Sequence, residues 1–102
     1  MLILGIESSC DDTSVALLDI SKNGPVVLFE KTASQIEIHK KYGGVVPEIA
    51  GRMHAEKIVP LIEAALEGHP KPNAIAVTAG PGLITGLLVG VEAARALSCA
   101  LG

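Results

Sequence analysis

Apolar and polar positions divide the first third of the chain into three short runs, at residues 2–6, 13–20 and 26–34. Polar segments separate the runs, and an Asn-Gly pair lies between the second and third at residues 21–25, which is typical of strands joined as hairpins. The second run alternates and the third does so less regularly. The pattern predicts an antiparallel meander of three strands.

A longer pattern with helical spacing covers residues 45–66. Pro47 suits the first turn, where a missing backbone N–H costs nothing. Pro60 lies inside the pattern and predicts a kink near Glu56. The apolar face shifts in phase along the helix and leaves His54 on the polar side, where a single histidine is usually an ordinary hydrogen-bonding residue.

The remaining segments predict a loop, a strand and a second helix. Residues 35–44 are polar and end in two glycines, which favours a connecting loop. Residues 74–78 form a short uninterrupted apolar run, typical of a parallel strand buried on both faces. Residues 83–101 are apolar nearly all round and predict a buried helix. The Gly-Pro-Gly turn at 80–82 breaks the uncharged run, so no membrane span is expected.

The predicted order is therefore β-β-β-α-β-α, with three antiparallel strands and one parallel strand in a mixed sheet. This order is the start of a ribonuclease-H-like α/β fold, the fold that actin-like ATPases use in each lobe. Those proteins place nucleotide phosphates at the first hairpin. In this chain that hairpin is the segment GIESSCDDT at residues 5–13.

Composition restricts the partners of the chain. It has 102 residues, enough for one small domain, and 49% are hydrophobic against 19% charged, so part of its surface is expected to pack against something else. With a net charge of −3, no basic block and only Phe29 and Tyr42 as aromatics, nucleic acid is not indicated for this segment alone. The cysteines Cys10 and Cys99 fit a reducing cytoplasm, and no signal peptide is recognised.

Two loops carry candidate chemistry. The loop within residues 5–13 offers two hydroxyls, a thiol and two adjacent carboxylates, and its backbone N–H groups could bind a phosphate oxygen. A solvated turn remains the alternative interpretation. The turn at 80–82 precedes a helix, where anions bind well, although an ordinary strand-to-helix turn has the same composition. The three histidines lack a second ligand at metal spacing.

Three ordered blocks resemble the N-terminal lobe of the TsaD family of tRNA N6-adenosine threonylcarbamoyltransferases. They are GIESSCDDT at 5–13, YGGVVPEIAGRMH at 42–54, and TAGPGL at 78–83 followed by LLVG at 87–90. The resemblance implies that residues 1–102 form a single N-terminal lobe of the actin-like type. It also implies that the family's C-terminal lobe is absent from this chain.

The family transfers threonylcarbamoyl from threonylcarbamoyl-AMP to N6 of adenosine 37 in tRNAs that read codons beginning with A. By resemblance, Asp11 and Asp12 are the catalytic candidates, which would orient the reacting amine or a bound water. The substrate and phosphate would be bound by Ser9, Cys10, Thr13, Gly80, Pro81 and Gly82.

The resemblance also implies a divalent metal, iron or zinc, held by a histidine pair that lies beyond Gly102. None is expected to be held by this chain, which we expect to be inactive alone. The implied partners are a TsaB-like paralogue, the other proteins of the pathway, tRNA and threonylcarbamoyl-AMP, with no membrane. A homodimer through the two helices is a further expectation. The small residues Gly86, Gly90 and Ala94 would allow close backbone contact, either with the first helix or across a two-fold interface.

Two other functions stay open. The chain could be a non-catalytic scaffold that binds a TsaB-like partner, although TsaB proteins tend to lack the acidic pair Asp11 and Asp12. It could instead be a ribonuclease-H-like nuclease that uses Glu7 and that acidic pair with magnesium. Such sites need carboxylates from several strands, and Thr78 stands where the fourth strand would supply one, which disfavours the nuclease.

Overall fold

A four-stranded mixed sheet forms the centre of the computed structural model, which describes residues 1–21 and 23–102. Its strands are β1 (Leu2–Glu7), β2 (Asp12–Ser21), β3 (Gly24–Ser34) and β4 (Ala74–Val77). Their order across the sheet is β3-β2-β1-β4. Strands β1, β2 and β3 pair antiparallel and β4 pairs parallel to β1. The predicted meander and the parallel fourth strand are both confirmed.

A bulge explains the irregular alternation of the third strand. Leu17 pairs with Phe29, but Leu18 pairs with Val27, so Leu28 is an extra residue in β3. Because of this extra residue, the side chains on either side of the bulge do not follow one continuous alternation between the two faces of the sheet. The predicted turn at 21–25 includes Lys22, which lies outside the described residues.

Three helices accompany the sheet: α1 (Ile36–Lys40), α2 (Pro47–Leu66) and α3 (Ile84–Leu101). The prediction of a loop over residues 35–44 was wrong, because α1 occupies its first half. A buried histidine stabilises this segment: His39 accepts a hydrogen bond from the Val46 amide at Nδ1 and bonds the Gln35 side chain through Nε2, at 2.7 Å. Helix α2 continues through Pro60.

The hydrophobic core lies between one face of the sheet and the inner sides of α2 and α3. Alternate residues of β1 and β2 form the sheet side of the core. Helix α2 contributes Ile58, Leu61, Ile62 and Ala65. Placing His54 on the polar side of α2 was wrong, since it is fully buried. Ala50, His54 and Ile58 recur every four residues, so the histidine continues the buried stripe and removes the apparent phase shift.

Two burial predictions were wrong because the described elements cover only one side of the sheet and helices. Ala74 and Ala76 of β4 are exposed, so this strand is not buried on both faces. Only Gly86, Leu87, Gly90 and Ala94 of α3 are buried. The break at 80–82 is confirmed. Helix α3 is nevertheless long and apolar enough to cross a membrane by length and composition alone, as core helices of soluble proteins also are.

Candidate functional site at the ends of two parallel strands

The candidate site forms where β1 and β4 end, because the carboxyl ends of parallel strands meet at the same edge of a sheet. The loop at 8–11 leaves β1 there, and the turn at 78–83 leaves β4. The Leu83 amide donates to the Ser9 carbonyl oxygen at 2.7 Å. A Cβ atom on Gly82 would lie 2.6 Å from that same oxygen, so glycine permits the close approach. The structure thus brings the two predicted loops together.

Three successive carbonyl groups of the first loop point into the fold. The Ser9 oxygen accepts from the Leu83 amide, the Cys10 oxygen from His54 Nε2 at 2.9 Å, and the Asp11 oxygen from the Gln35 amide at 3.1 Å. Within the described residues the amides of Cys10 and Asp11 have no hydrogen-bond acceptor. Backbone N–H groups left unpaired in a rigid loop are suitable donors to an anionic ligand.

Polar side chains buried behind the loop hold it in place. The Ser8 hydroxyl donates to the Gly86 carbonyl oxygen at 2.7 Å, and Thr13 Oγ1 lies 2.7 Å from His54 Nδ1. Because His54 Nε2 faces the Cys10 carbonyl oxygen, Nε2 carries the proton, and in the neutral ring Nδ1 accepts from Thr13. Thr13 is fully buried, so the structure places it behind the loop rather than on its open side.

Helix α3 carries glycines where it packs against Ser8 and His54, because a larger side chain there would overlap these residues. A Cβ on Gly86 would lie 2.5 Å from the Ser8 carbonyl oxygen and 3.0 Å from the His54 ring. A Cβ on Gly90 would lie 2.5 Å from the Ser8 hydroxyl oxygen. The stripe expected to serve a homodimer is therefore already covered, because it packs inside the fold against the end of β1.

Glu7 connects the two loops through both carboxylate oxygens. Oε1 accepts from the Ser9 amide at 2.5 Å, and Oε2 accepts from the Thr78 hydroxyl at 2.5 Å. Burial alone would raise the pKa of Glu7, but the hydrogen bonds from Ser9 and Thr78 and the nearby His54 outweigh it and lower the pKa. Glu7 is therefore ionised at neutral pH.

The acidic pair lies where the loop joins β2, and both side chains are partly buried. Asp12 has one carboxylate oxygen, Oδ1, that is buried and has no hydrogen-bond partner in the described part of the chain. Neither acid takes part in the ion pairs of the described residues, which join the N-terminal amine to Asp19 and Arg95 to Glu92. Partial burial of the sulfur and the neighbouring Asp11 and Asp12 carboxylates raise the pKa of the Cys10 thiol, which is therefore protonated at neutral pH rather than nucleophilic. Gly80 and Pro81 are exposed on the adjoining turn.

Sequence reasoning missed the residues that shape this site from behind. Glu7 was considered only for a nuclease, although an acid that ends an apolar strand next to a parallel partner is a recognisable signal. His54 could have been found by its four-residue spacing from Ala50. The burial of Ser8 and its bond to α3 left no signal in the sequence, because that contact joins residues 78 positions apart.

A second surface lies away from the loops, along the groove between α2 and α3. It is a groove of about 1010 Å³ whose lining is largely apolar, including Val59, Ile62, Leu66, Ala93, Leu97 and Ala100. Apolar side chains of α3 outside the groove are also exposed, with Ile84 at 73% and Leu88 at 55%. We call Ile84, Leu88 and the groove residues the outer helical surface.

Comparison with known proteins gives concordant results. The family described as tRNA N6-adenosine threonylcarbamoyltransferase, TsaD, matches residues 26–102, more than half of the chain. A relative of that name from Corynebacterium aurimucosum is 51% identical over 105 residues, covering 100% of this chain and 30% of the relative. One from Bacillus subtilis is 52% identical over 104 residues, which cover 98% of this chain and 29% of the relative. The chain therefore spans about 30% of the length of these relatives.

Among solved structures, YeaZ from Pseudomonas aeruginosa is similar with a TM-score of 0.68 and 25% identity, over 98% of this chain and 39% of YeaZ. YeaZ has the actin-like ATPase fold, so the predicted fold class is confirmed. The family match begins after the first loop, but the curated relatives also align across that loop. Together with the order of strands and helices, these matches show that the chain belongs to the TsaD family of tRNA N6-adenosine threonylcarbamoyltransferases.

Proposed function

We propose that this chain is the N-terminal lobe of a tRNA N6-adenosine threonylcarbamoyltransferase and forms one wall of its reaction site. The full-length protein would transfer threonylcarbamoyl from threonylcarbamoyl-AMP to N6 of adenosine 37 in tRNAs that read codons beginning with A. The observation that carries the proposal is the first loop, whose carbonyl groups point inward and whose Cys10 and Asp11 amides, next to the acidic pair, have no acceptor within the described residues. Family membership supplies the reaction class.

The chemistry assigns different tasks to the backbone and the carboxylates. In the reaction, N6 of adenosine attacks the threonylcarbamoyl carbonyl carbon, the bond to the phosphate oxygen breaks, AMP leaves, and N6 loses a proton. The Cys10 and Asp11 amides would bind a phosphate oxygen, with Ser9, Gly80, Pro81 and Gly82 shaping the same wall. Asp11 and Asp12 would orient the amine and receive its proton. The unpartnered Asp12 Oδ1 is a suitable acceptor, since a buried oxygen without a donor costs about 1–3 kcal/mol.

The metal implied by the family does not fit the residues of this lobe. Within residues 1–21 and 23–102, no three His, Cys, Asp or Glu side chains come close enough to hold an ion. The two buried histidines use their ring nitrogens for hydrogen bonds inside the fold. We propose that any iron or zinc is held by residues outside this chain, and no step above depends on it. A cytoplasmic location is supported by the free cysteines Cys10 and Cys99.

A chimera tests the proposed function directly. Residues 1–102 replace the matching segment of the Bacillus subtilis relative, which is 52% identical. Incubated with iron, threonylcarbamoyl-AMP and unmodified tRNA, the chimera is expected to form threonylcarbamoyladenosine, detected by mass spectrometry of digested tRNA. The unaltered relative is the positive control. The isolated 102-residue chain is expected to form none. A folded but inactive chimera would contradict the proposal.

The roles of the acids are tested in the same chimera. Asp11→Ala and Asp12→Ala are each expected to lower turnover by about 10²–10⁴-fold, the usual contribution of a positioned acid or base. Their unfolding midpoints are expected to change little, since neither side chain is part of the core. Glu30→Ala, on β3, is the matched acidic control. A loss of stability as large as the loss of activity would assign the pair a structural role instead.

A second proposal concerns the outer helical surface, which we propose binds a TsaB-like protein of the YeaZ type. The chain and YeaZ share this fold, so each could present equivalent helices to the other. The groove of about 1010 Å³ is largely apolar, and removing apolar surface from water contributes about 25 cal/mol per Å². In this role the chain could act as a scaffold without catalysis, and self-association through the same surface is the competing outcome.

Sedimentation separates these outcomes. The chimera is mixed with the TsaB-like protein of the same host and compared with a variant that carries Ala96→Glu, which places a charge in the groove. We expect a heterodimer for the parent chimera and at least a tenfold weaker complex for the variant. Glu92→Ala, on the same helix but outside the groove lining, is the control. A homodimer that excludes the TsaB-like protein would support self-association, and an unaffected Ala96→Glu complex would contradict this location.

A further inference from the structure

Among the side chains that the structure describes, Glu7 hydrogen-bonds both loops of the candidate site. It ends β1, its Oε1 atom holds the Ser9 amide, and its Oε2 atom holds the Thr78 hydroxyl at the end of β4. The Thr78 contact, at 2.5 Å, has the length of a charge-assisted bond from a hydroxyl to a carboxylate, and the Ser9 amide lies equally close to the other oxygen. The carboxylate of Glu7 therefore contributes, together with the Leu83–Ser9 bond, to the spacing between the first loop and the Gly-Pro-Gly turn.

We propose that Glu7 is a positioning residue for the transfer reaction, and that together with Thr78 it sets the spacing between the acidic loop and the turn at 80–82. The inference rests on the proposed function. Glu7 acts through its neighbours, because both oxygens already accept hydrogen bonds from the chain. Its ionised state, favoured by those two donors, keeps both contacts in place at neutral pH.

The remaining contacts at this edge do not replace the Glu7 pair. The Leu83 amide donates a hydrogen bond to the Ser9 carbonyl oxygen, and this bond also joins the two loops. That bond orients the Ser9–Cys10 peptide, whereas Glu7 holds the N–H of the preceding Ser8–Ser9 peptide, so the two contacts fix different peptide groups of the loop. Loss of the carboxylate would release the Ser8–Ser9 peptide at the start of the loop and its link to Thr78, and the Leu83 contact would be left to position the loop against the turn.

Variants of Glu7 and Thr78 separate positioning from stability in the chimera. Glu7→Ala removes both contacts, Thr78→Val removes one while keeping the shape of the side chain, and Thr78→Ser restores the hydroxyl. Thr32→Val is the matched control, because it removes a comparable side-chain hydrogen bond, 2.8 Å to Ser14, between β2 and β3. We measure kcat and KM, and hydrogen exchange of peptides covering residues 8–12 and 80–86.

We expect Glu7→Ala and Thr78→Val to lower kcat by about ten- to a hundredfold with a smaller change in KM, because small misplacements of reacting groups have effects of this size. Thr78→Ser is expected to recover most of kcat, and Thr32→Val to leave it unchanged. Exchange is expected to accelerate in both peptides for the first two variants only. Unchanged kcat with accelerated exchange would overturn the positioning role.

Failure of the proposed function has a different signature. If the parent chimera is inactive while folded, the transferase proposal fails, yet the exchange measurement still decides whether Glu7 holds the two loops together. If exchange in both peptides is also unaffected by Glu7→Ala and Thr78→Val, the contact itself is unimportant and the positioning inference is overturned. Equal losses of kcat in Thr78→Val and Thr32→Val would overturn it as well, since general weakening of the sheet would then explain both.

Discussion

The first loop and the outer helical surface reverse the usual distribution of polar and apolar residues. Behind the loop, Ser8, Thr13 and His54 are fully buried although all three are polar, and each has a hydrogen-bond partner. On the outer helical surface, Ile84 and Leu88 are largely exposed although both are apolar. Buried polar groups and exposed apolar patches are the two departures that carry information about function.

The difference shows that the first loop is stabilised by contacts within this chain, whereas the outer helical surface would be stabilised by contacts with a partner. The buried polar cluster gives the loop a single conformation, because each hydrogen bond behind it specifies one direction. The apolar surface specifies no internal contact and gains stability only when something covers it. One region is therefore complete within this chain, and the other requires a partner. Substitutions in the two regions are expected to differ in the same way.

Removing His54 is expected to have the largest effect on folding. His54→Ala leaves the buried Thr13 hydroxyl and the partly buried Cys10 carbonyl oxygen without their partner and is expected to lower the free energy of unfolding by about 3 kcal/mol. His69→Ala, on an exposed residue, is the control. Urea denaturation measures both. Similar midpoints for the two variants would show that the buried cluster does not stabilise the loop.

Adding one methyl group at Gly86 is expected to have the next largest effect. The new Cβ would lie 2.5 Å from the Ser8 carbonyl oxygen, so the start of α3 must shift, at a cost of about 1–3 kcal/mol. Gly44→Ala is the matched control, since a Cβ there meets nothing within 4 Å. The comparison of the two unfolding midpoints checks the prediction. A neutral Gly86→Ala would mean that α3 can move away from the loop freely.

The same contrast explains how far the sequence could be interpreted. Alternation predicted the strands of the meander, an uninterrupted apolar run predicted β4, and helical spacing predicted both long helices, because these local patterns are visible in the sequence. The loop residues were recognised by their chemistry. The sequence did not reveal that Glu7 and Thr78 bond each other, because that contact joins distant segments. The inward position of His54 was overlooked, although its spacing from Ala50 indicated it. Burial of β4 and α3 was overestimated, since an apolar run does not tell whether its cover belongs to the same chain.

Acid is expected to have a smaller effect, through Glu7. Its pKa is lowered from 4.5 in the folded chain, so the unfolded chain binds more protons as the pH falls. The stability that the ionised carboxylate contributes is complete above about 4.5, and it is lost as the pH decreases through the lower folded pKa. Because Glu7 is only partly buried, the loss is expected to be about 1 kcal/mol or less. Glu7→Gln should flatten this part of the pH profile, and an unchanged profile would contradict the assignment.

The smallest effect is expected at Leu88, and its neighbour provides the control. Leu88 is 55% exposed and Leu87 is 8% exposed, one position apart on α3. Leu88→Ser is expected to change the free energy of unfolding by no more than about 0.5 kcal/mol, as surface substitutions usually do. Leu87→Ser is expected to lower it by about 2–4 kcal/mol, because it removes buried apolar volume and introduces a hydroxyl. If the partner covers this side of α3, Leu88→Ser weakens the complex while leaving the fold unchanged. Equal destabilisation by the two serines would show that the outer helical surface is already covered without a partner.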